Sequence, residues 1–285
     1  MNQGLRKKIT AIGTYLLVST VGWNAGKLVT GIDEYFFSTS NERSLESIIK
    51  KPINFDTFDS KEERDSKINL FEENYRDAKH NWDNFDKQFN LVKKISYMDQ
   101  YNPSLKSRLI SLISGYNFNG SANVIEGELN TTPNSETIIH ELSHFWHTHI
   151  DNEKFNEAWK EISENHYLGF GFSKATRQDF ERNGAVSDYA LRNLNEDIAE
   201  ICEFVYRILH PNKHIIGFTH KKPDFRVKIH RWESWESLNI PLDNENHLSK
   251  IKEKIKLLKN YNFISEREYK HTLDELDSFK ERKCH

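Results

Sequence analysis

The run His140-Glu141-Leu142-Ser143-His144 constrains this chain more than any other stretch. On an α-helix, residues four apart share a face, so His140 and His144 reach one metal ion while Glu141 stands beside it. Neutral imidazoles suit Zn²⁺, and a water whose pKa the metal draws towards ~7 needs an adjacent carboxylate to take its proton. Glu141 is that carboxylate. Thr132 and Pro133 read as the helix N-cap and first helical residue, and Ile138, Ile139, Leu142, Phe145 and Trp146 form an apolar stripe for burial. Two nitrogens leave a zinc site incomplete, so a third protein ligand is required downstream.

The second informative stretch is 185–204. Asn195 reads as the cap of a helix running to about residue 209. Glu196 and Glu200 share a face of it, while Ile198, Ile201, Val205 and Ile208 pack inward. One of the two carboxylates can bind the metal. The other can accept the free ring N–H of a ligating His, which fixes the tautomer and orientation of that ring. Asp197 competes for the supporting role, and Glu203, later and partly off the face, is a weaker rival for the ligand.

His140-Glu141-x-x-His144 followed by Glu196-x-x-x-Glu200 resembles the gluzincin branch of the zincin metallopeptidases, and within it the lethal-factor type. In that type a Tyr stands seven residues before the ligand Glu, as Tyr189 stands before Glu196. The run from Ser187 through Tyr189, Asn193 and Glu196 to Glu200 is also similar to bacterial zinc peptidases. The resemblance covers 123–209. It implies Glu196 as the third zinc ligand, Glu200 as a carboxylate behind the ligands, and Tyr189 near the metal as a donor to a developing oxyanion. It also implies that the strand expected at 123–129 is a sheet edge to which an extended peptide adds. The metzincin pattern is not met, because His147 stands where that pattern needs Gly and Ile150 where it needs a third His. His147 and His149 therefore read as residues of the helix surface or the periphery of the site. His210, His214, His220 and His230 lack ligand spacing, and no second metal site is expected.

Composition excludes other classes. The 40 basic residues are interspersed among 43 acidic ones, for a net charge of −3, so there is no basic stripe and no nucleic-acid partner is expected. Cys202 and Cys284 are the only cysteines and suggest no disulfide framework. At the N-terminus, Arg6, Lys7 and Lys8 precede a mainly uncharged stretch, 9–32, that resembles a signal sequence or signal anchor. Without a clean cleavage site it reads as an uncleaved anchor, with membrane association and the catalytic region outside the cytoplasm.

Residues 38–61 read as a polar linker. Ile68, Phe71, Tyr75, Ala78, Trp82, Phe85, Phe89 and Val92 then recur at alternating steps of three and four, predicting one long amphipathic helix packed on the domain's own core. A further helix is expected at 103–113. Beyond the metal helix, 155–162 is helical and Gly169, Gly171 and Gly184 mark a loop-rich insertion. The C-terminus reads as a helical hairpin with Ser265 capping its second helix, weakly similar to short C-terminal interaction domains (SHOCT).

The expected fold is α+β: a mainly helical zincin-like metallopeptidase domain with a small sheet, an N-terminal hydrophobic segment and a C-terminal helical hairpin. Its divisions are a signal or anchor segment at 1–37, the linker at 38–61, the catalytic domain at 62–240 and the hairpin at 241–285. The expected function is Zn²⁺-dependent hydrolysis of a peptide or protein substrate, with His140, His144 and Glu196 on the metal and Glu141 as general base. The alternative is a catalytically silent, membrane-tethered interaction protein of the same fold, which an intact Glu141 opposes.

Overall fold

The structure is a computed structural model that describes residues 45, 48–55, 61–97, 120–132, 134–150, 152–210 and 244–283. The chain divides into two compact units, Met1–Lys50 and Lys51–His285, and the second carries the sheet, the helices around it and the C-terminal hairpin. The anchor segment at 1–37, the helix at 103–113 and His214, His220 and His230 lie outside the described residues. No helix among the described residues is long and apolar enough to cross a membrane.

Four short strands form one sheet in the order β1-β2-β4-β3: β1 (Ile53–Phe55), β2 (Lys94–Tyr97), β3 (Gly120–Asn123) and β4 (Glu128–Thr131). β1 and β4 each pair with β2 in parallel, and β3 pairs antiparallel with β4. Side chains alternate across the sheet. Ile95, Tyr97, Leu129 and Thr131 are buried on one face, while Lys94 and Glu128 form an ion pair on the other at 3.0 Å.

Two expectations change here. The linker contributes β1, a three-residue edge strand too short for any period to show. The strand expected at 123–129 is a hairpin, because Gly127 turns the chain at φ +72°. A Cβ at Gly127 would stand 2.7 Å from Lys93 Cγ, so the turn also needs a residue without a side chain. Among the described residues β4 is consequently interior, and β3 is an edge.

The aromatic stripe is buried throughout from Ile68 to Val92, but two helices carry it, α1 (Lys61–Asn81) and the short α2 (Phe85–Phe89), with Trp82 and Val92 just beyond their ends. A tertiary contact marks the break. The Asp83 backbone N–H donates to Glu268 Oε1 at 2.9 Å, and the Asp83 carboxylate accepts from Arg267 and Ser265. Across the break Tyr75 meets Phe85 edge-on at 5.3 Å and Phe89 at 5.2 Å.

The metal helix is α3 (Ser135–Ile150) and the second site helix is α6 (Leu194–Leu209); they pack on each other, and α1 packs on α3. Between them lie α4 (Glu153–Ile162), a 3₁₀ turn (Gly169–Lys174), α5 (Arg177–Asn183) and a second 3₁₀ turn (Tyr189–Arg192). The insertion expected to be loop-rich thus contains a helix, which Thr176 and Asp179 close with a reciprocal capping box. Gly184 ends α5 at φ +73°, where a Cβ would stand 2.6 Å from Lys250 Cβ.

The hairpin is α7 (Glu245–Asn260) and α8 (Glu266–Lys283). Ser265 accepts from Glu268 N–H at 3.1 Å while Glu268 Oε2 accepts from Ser265 N–H at 2.6 Å, another capping box. The connecting turn is used inward: the Phe263 ring stacks on Phe155 at 5.3 Å, and the Tyr261 carbonyl accepts from Trp146 Nε1 at 3.0 Å. The hairpin therefore covers α3 and α4 as part of the core.

Candidate metal centre

The apolar stripe of α3 dictates how its histidines point. Ile138, Ile139, Leu142 and Phe145 are buried, and His140 and His144 stand one turn apart beside them with ring centroids 5.1 Å apart. The cap differs from expectation: Asn134 Oδ1, not Thr132, accepts the Glu136 N–H at 2.9 Å. On α6 the cap is Asn193, whose Oδ1 accepts the Glu196 N–H at 3.1 Å, instead of Asn195. In both places several polar residues are adjacent, and the one that caps is set by where packing starts the first turn.

Glu196 Oε2 lies 3.4 Å from His140 Nε2 and 3.3 Å from His144 Nε2. A tetrahedral ion with bonds of about 2.05 Å has ligands about 3.3 Å apart, so the spacing of these atoms is that of a zinc ligand set. Glu196 Oε2 is also buried with no hydrogen-bond partner. A buried carboxylate oxygen left in that state is costly unless a cation satisfies it. The residues present fit the ion.

Electrostatics agree. Burial works to raise the Glu196 carboxyl pKa, but His140 and His144 overcome it and hold the group well below the usual carboxylate range. Burial works against charge on His140, yet Glu196, Glu200, Glu203 and Glu141 around it raise its pKa well above the ordinary value. Carboxylates gathered around one imidazole supply the negative charge that a dication needs.

The far nitrogen of His140 is held by two carboxylates. Nδ1 is 3.1 Å from Glu203 Oε2 and 3.4 Å from Glu200 Oε1, which directs Nε2 towards Glu196 and His144. Glu203, read from sequence as a weaker ligand, is on this outer side, and Arg207 links its carboxylate to Glu136. Glu200, expected behind the ligands, lies on this side of the ring as well. Asp197 does not serve the histidines: it faces the opposite way and accepts from Lys254, Trp159 and Tyr167. Glu203, expected partly off that face, in fact shares it, because 196, 200 and 203 fall at i, i+4 and i+7 on one helix. Nothing local to the sequence distinguished Arg207 or Glu136.

Glu141 lines the same cleft, of about 340 Å³, as His140, His144 and Glu196, and Ala122 and Val124 from the β3 side line it too. Tyr189 also lines it; its hydroxyl donates to Glu196 Oε1 at 3.2 Å, and its ring lies 6.2 Å from that of His140. Burial and then the Glu196 charge raise the phenol's pKa, so it is protonated at neutral pH. Arg192, which the sequence reading passed over, donates to the Tyr189 hydroxyl at 2.7 Å. His147 lines the cleft but its Nε2 pairs with Asn156 Oδ1 at 2.7 Å, and the His149 ring lies 5.2 Å from Trp146. Among the described residues, neither belongs to a group spaced to hold a metal.

Two helices beside a small sheet thus bring together a donor set with the spacing of zinc ligands. Residues 110–265 match the family described as "putative zinc-binding metallo-peptidase", and the chain belongs to that family, whose metal is zinc. A solved structure of a putative zinc-binding metallo-peptidase from Bacteroides caccae is similar with a TM-score of 0.46 at 12% identity, over 86% of this chain and 96% of that one. No curated protein matches the chain.

Proposed function

We propose that this chain is a gluzincin-type zinc peptidase that hydrolyses peptide bonds, with His140, His144 and Glu196 as metal ligands and Glu141 as general base. The observation that carries the reading is Glu196 Oε2, buried without a hydrogen bond and within 3.4 Å of both imidazole Nε2 atoms. The zinc, when bound, polarises the scissile carbonyl and acidifies water.

The chain's own residues do the rest. Glu141 takes a proton from the attacking water and delivers it to the leaving amine, a role a carboxylate lining the cleft beside the ligands can perform. Glu200 and Glu203 hold the His140 ring through Nδ1. Tyr189, protonated and in the cleft, donates to the negative charge that develops on the carbonyl oxygen. The edge strand β3 carries Ala122 on the cleft wall and offers backbone groups to an extended peptide.

The test is Glu141→Gln, which keeps stoichiometric zinc and loses turnover of a random peptide library; full activity in that variant rejects the mechanism. His144→Ala loses zinc while His147→Ala retains it. The proposal extends to the N-terminus, where Arg6–Lys8 and the stretch 9–32 act as an anchor that leaves this domain outside the cytoplasm. Digestion of the domain by protease added to intact spheroplasts supports that placement, and full protection rejects it.

A further inference from the structure

We infer that Arg192 forms a carboxylate-binding subsite beside the metal ligands, so that the preferred substrates carry an acidic group next to the scissile bond. The inference rests on the peptidase reading above and names the substrate class of that cleft.

Arg192 ends the 3₁₀ turn Tyr189–Arg192 and is the only Lys or Arg among the described residues that line the cleft. Its hydrogen bonds use one nitrogen: Nη1 donates to Tyr189 Oη at 2.7 Å and lies 3.5 Å from Glu196 Oε1. Nε and Nη2 make no hydrogen bond among the described residues and are not sealed from water, the side chain as a whole being 23% exposed. A guanidinium carries five N–H donors in a rigid plane, and its Nε–Nη2 edge is the fork that matches the two oxygens of a carboxylate. A permanently charged group on the cleft wall with that edge unmatched is placed to receive an anion that enters the cleft.

The surroundings hold the fork in place. The guanidinium carbon lies 5.5 Å from the Tyr189 ring centre and 5.7 Å from that of Phe170, which is itself 83% exposed. Two rings and the Tyr189 hydroxyl restrict the plane, lowering the ordering cost of binding. Glu196 is the nearest competing carboxylate, but it reaches only Nη1, and its Oε2 is directed to the two imidazoles. Phe170 offers an apolar surface beside the charge, suited to the stem of a Glu or the side chain of a C-terminal residue.

One chemistry has two sources here, an Asp or Glu side chain within the peptide or the free carboxylate of its C-terminus. Three peptide sets separate them: neutral and amidated, amidated with one internal Glu, and neutral with a free C-terminus. Dissociation constants are measured on the zinc-loaded full chain carrying Glu141→Gln, and on the same chain with Arg192→Gln or Arg192→Lys added. One carboxylate set binds roughly tenfold or more tightly than the neutral set, as a charge-assisted pair requires, and identifies the source. Arg192→Gln removes the preference. Arg192→Lys, which keeps the charge and can still reach Tyr189, retains part of it.

Equal binding of all three sets overturns the inference, as does a preference that survives Arg192→Gln, which means the carboxylate is on the metal. Cleavage by the chain with Glu141 intact is read in parallel. Glu141-dependent cleavage without carboxylate preference leaves the peptidase reading standing and this subsite rejected. Arg192-dependent carboxylate binding without any cleavage does the reverse.

Discussion

Lys254 Nζ lies 2.7 Å from Asp197 Oδ2, and both side chains are wholly buried. The ammonium also donates to Asn183 Oδ1 at 2.9 Å and to the Gly184 carbonyl at 3.2 Å. The carboxylate also accepts from Trp159 Nε1 at 2.8 Å. Asp197 follows Glu196 on α6, so this pair joins the C-terminal hairpin to the helix that bears Glu196. Hydrogen bonds from several elements make burial of the two charges tolerable.

Lys254→Met leaves Asp197 as an uncompensated buried charge and is expected to destabilise the domain by about 3–5 kcal/mol. Urea unfolding measures it. The double variant Asp197→Leu with Lys254→Met removes both charges and recovers most of the loss; a double variant no better than the single one contradicts the assignment.

Removing Glu203, the nearer of the two carboxylates on His140 Nδ1, frees the ring that presents Nε2. Glu203→Gln should lower zinc affinity by about 10–100-fold, the usual effect of losing a group that orients a metal-bound imidazole. Competition against a zinc chelator gives the number. Glu200→Gln, acting at the longer distance, costs less, and the opposite order would reassign the support of His140 to Glu200.

His247 supplies a pH response away from the metal. Burial lowers its pKa from 6.5 to about 4, its Nδ1 donates to the Phe180 carbonyl at 2.9 Å, and Nε2 is buried with no partner. The folded state favours the neutral ring, and the unfolded chain binds the proton first. This contribution is complete above pH 6.5 and falls away as the pH drops towards 4, amounting to at most about 3 kcal/mol. His247→Asn keeps a donor for Phe180 and removes the titration. Melting temperatures followed from pH 7.5 to 4.5 should therefore decline less steeply in the variant, and parallel curves would disprove the role of His247.

Much of the site is legible in single helices. The 3.6-residue period alone puts His140 and His144 on one face of α3, and Glu196, Glu200 and Glu203 on one face of α6. The buried stripe from Ile68 to Val92 is legible for the same reason. Its division into two helices is not, because the contact at the break comes from Glu268, far along the chain. Nor is β1, whose three residues acquire meaning only through pairing with β2.

The sequence alone determines the donor chemistry: two imidazoles, a base beside them, and a face of carboxylates to complete the set. It determines this because helical periodicity is local and the residue types are chemically specific. Only the tertiary structure decides that Glu196 meets the Nε2 atoms while Glu203 and Glu200 stand behind Nδ1, and that Asp197 turns away to Lys254. Those assignments depend on how α6 lies against α3 and on the hairpin packed over both. The packing is set by buried side chains from Ile68 to Phe263, whose joint fit no single stretch of sequence contains.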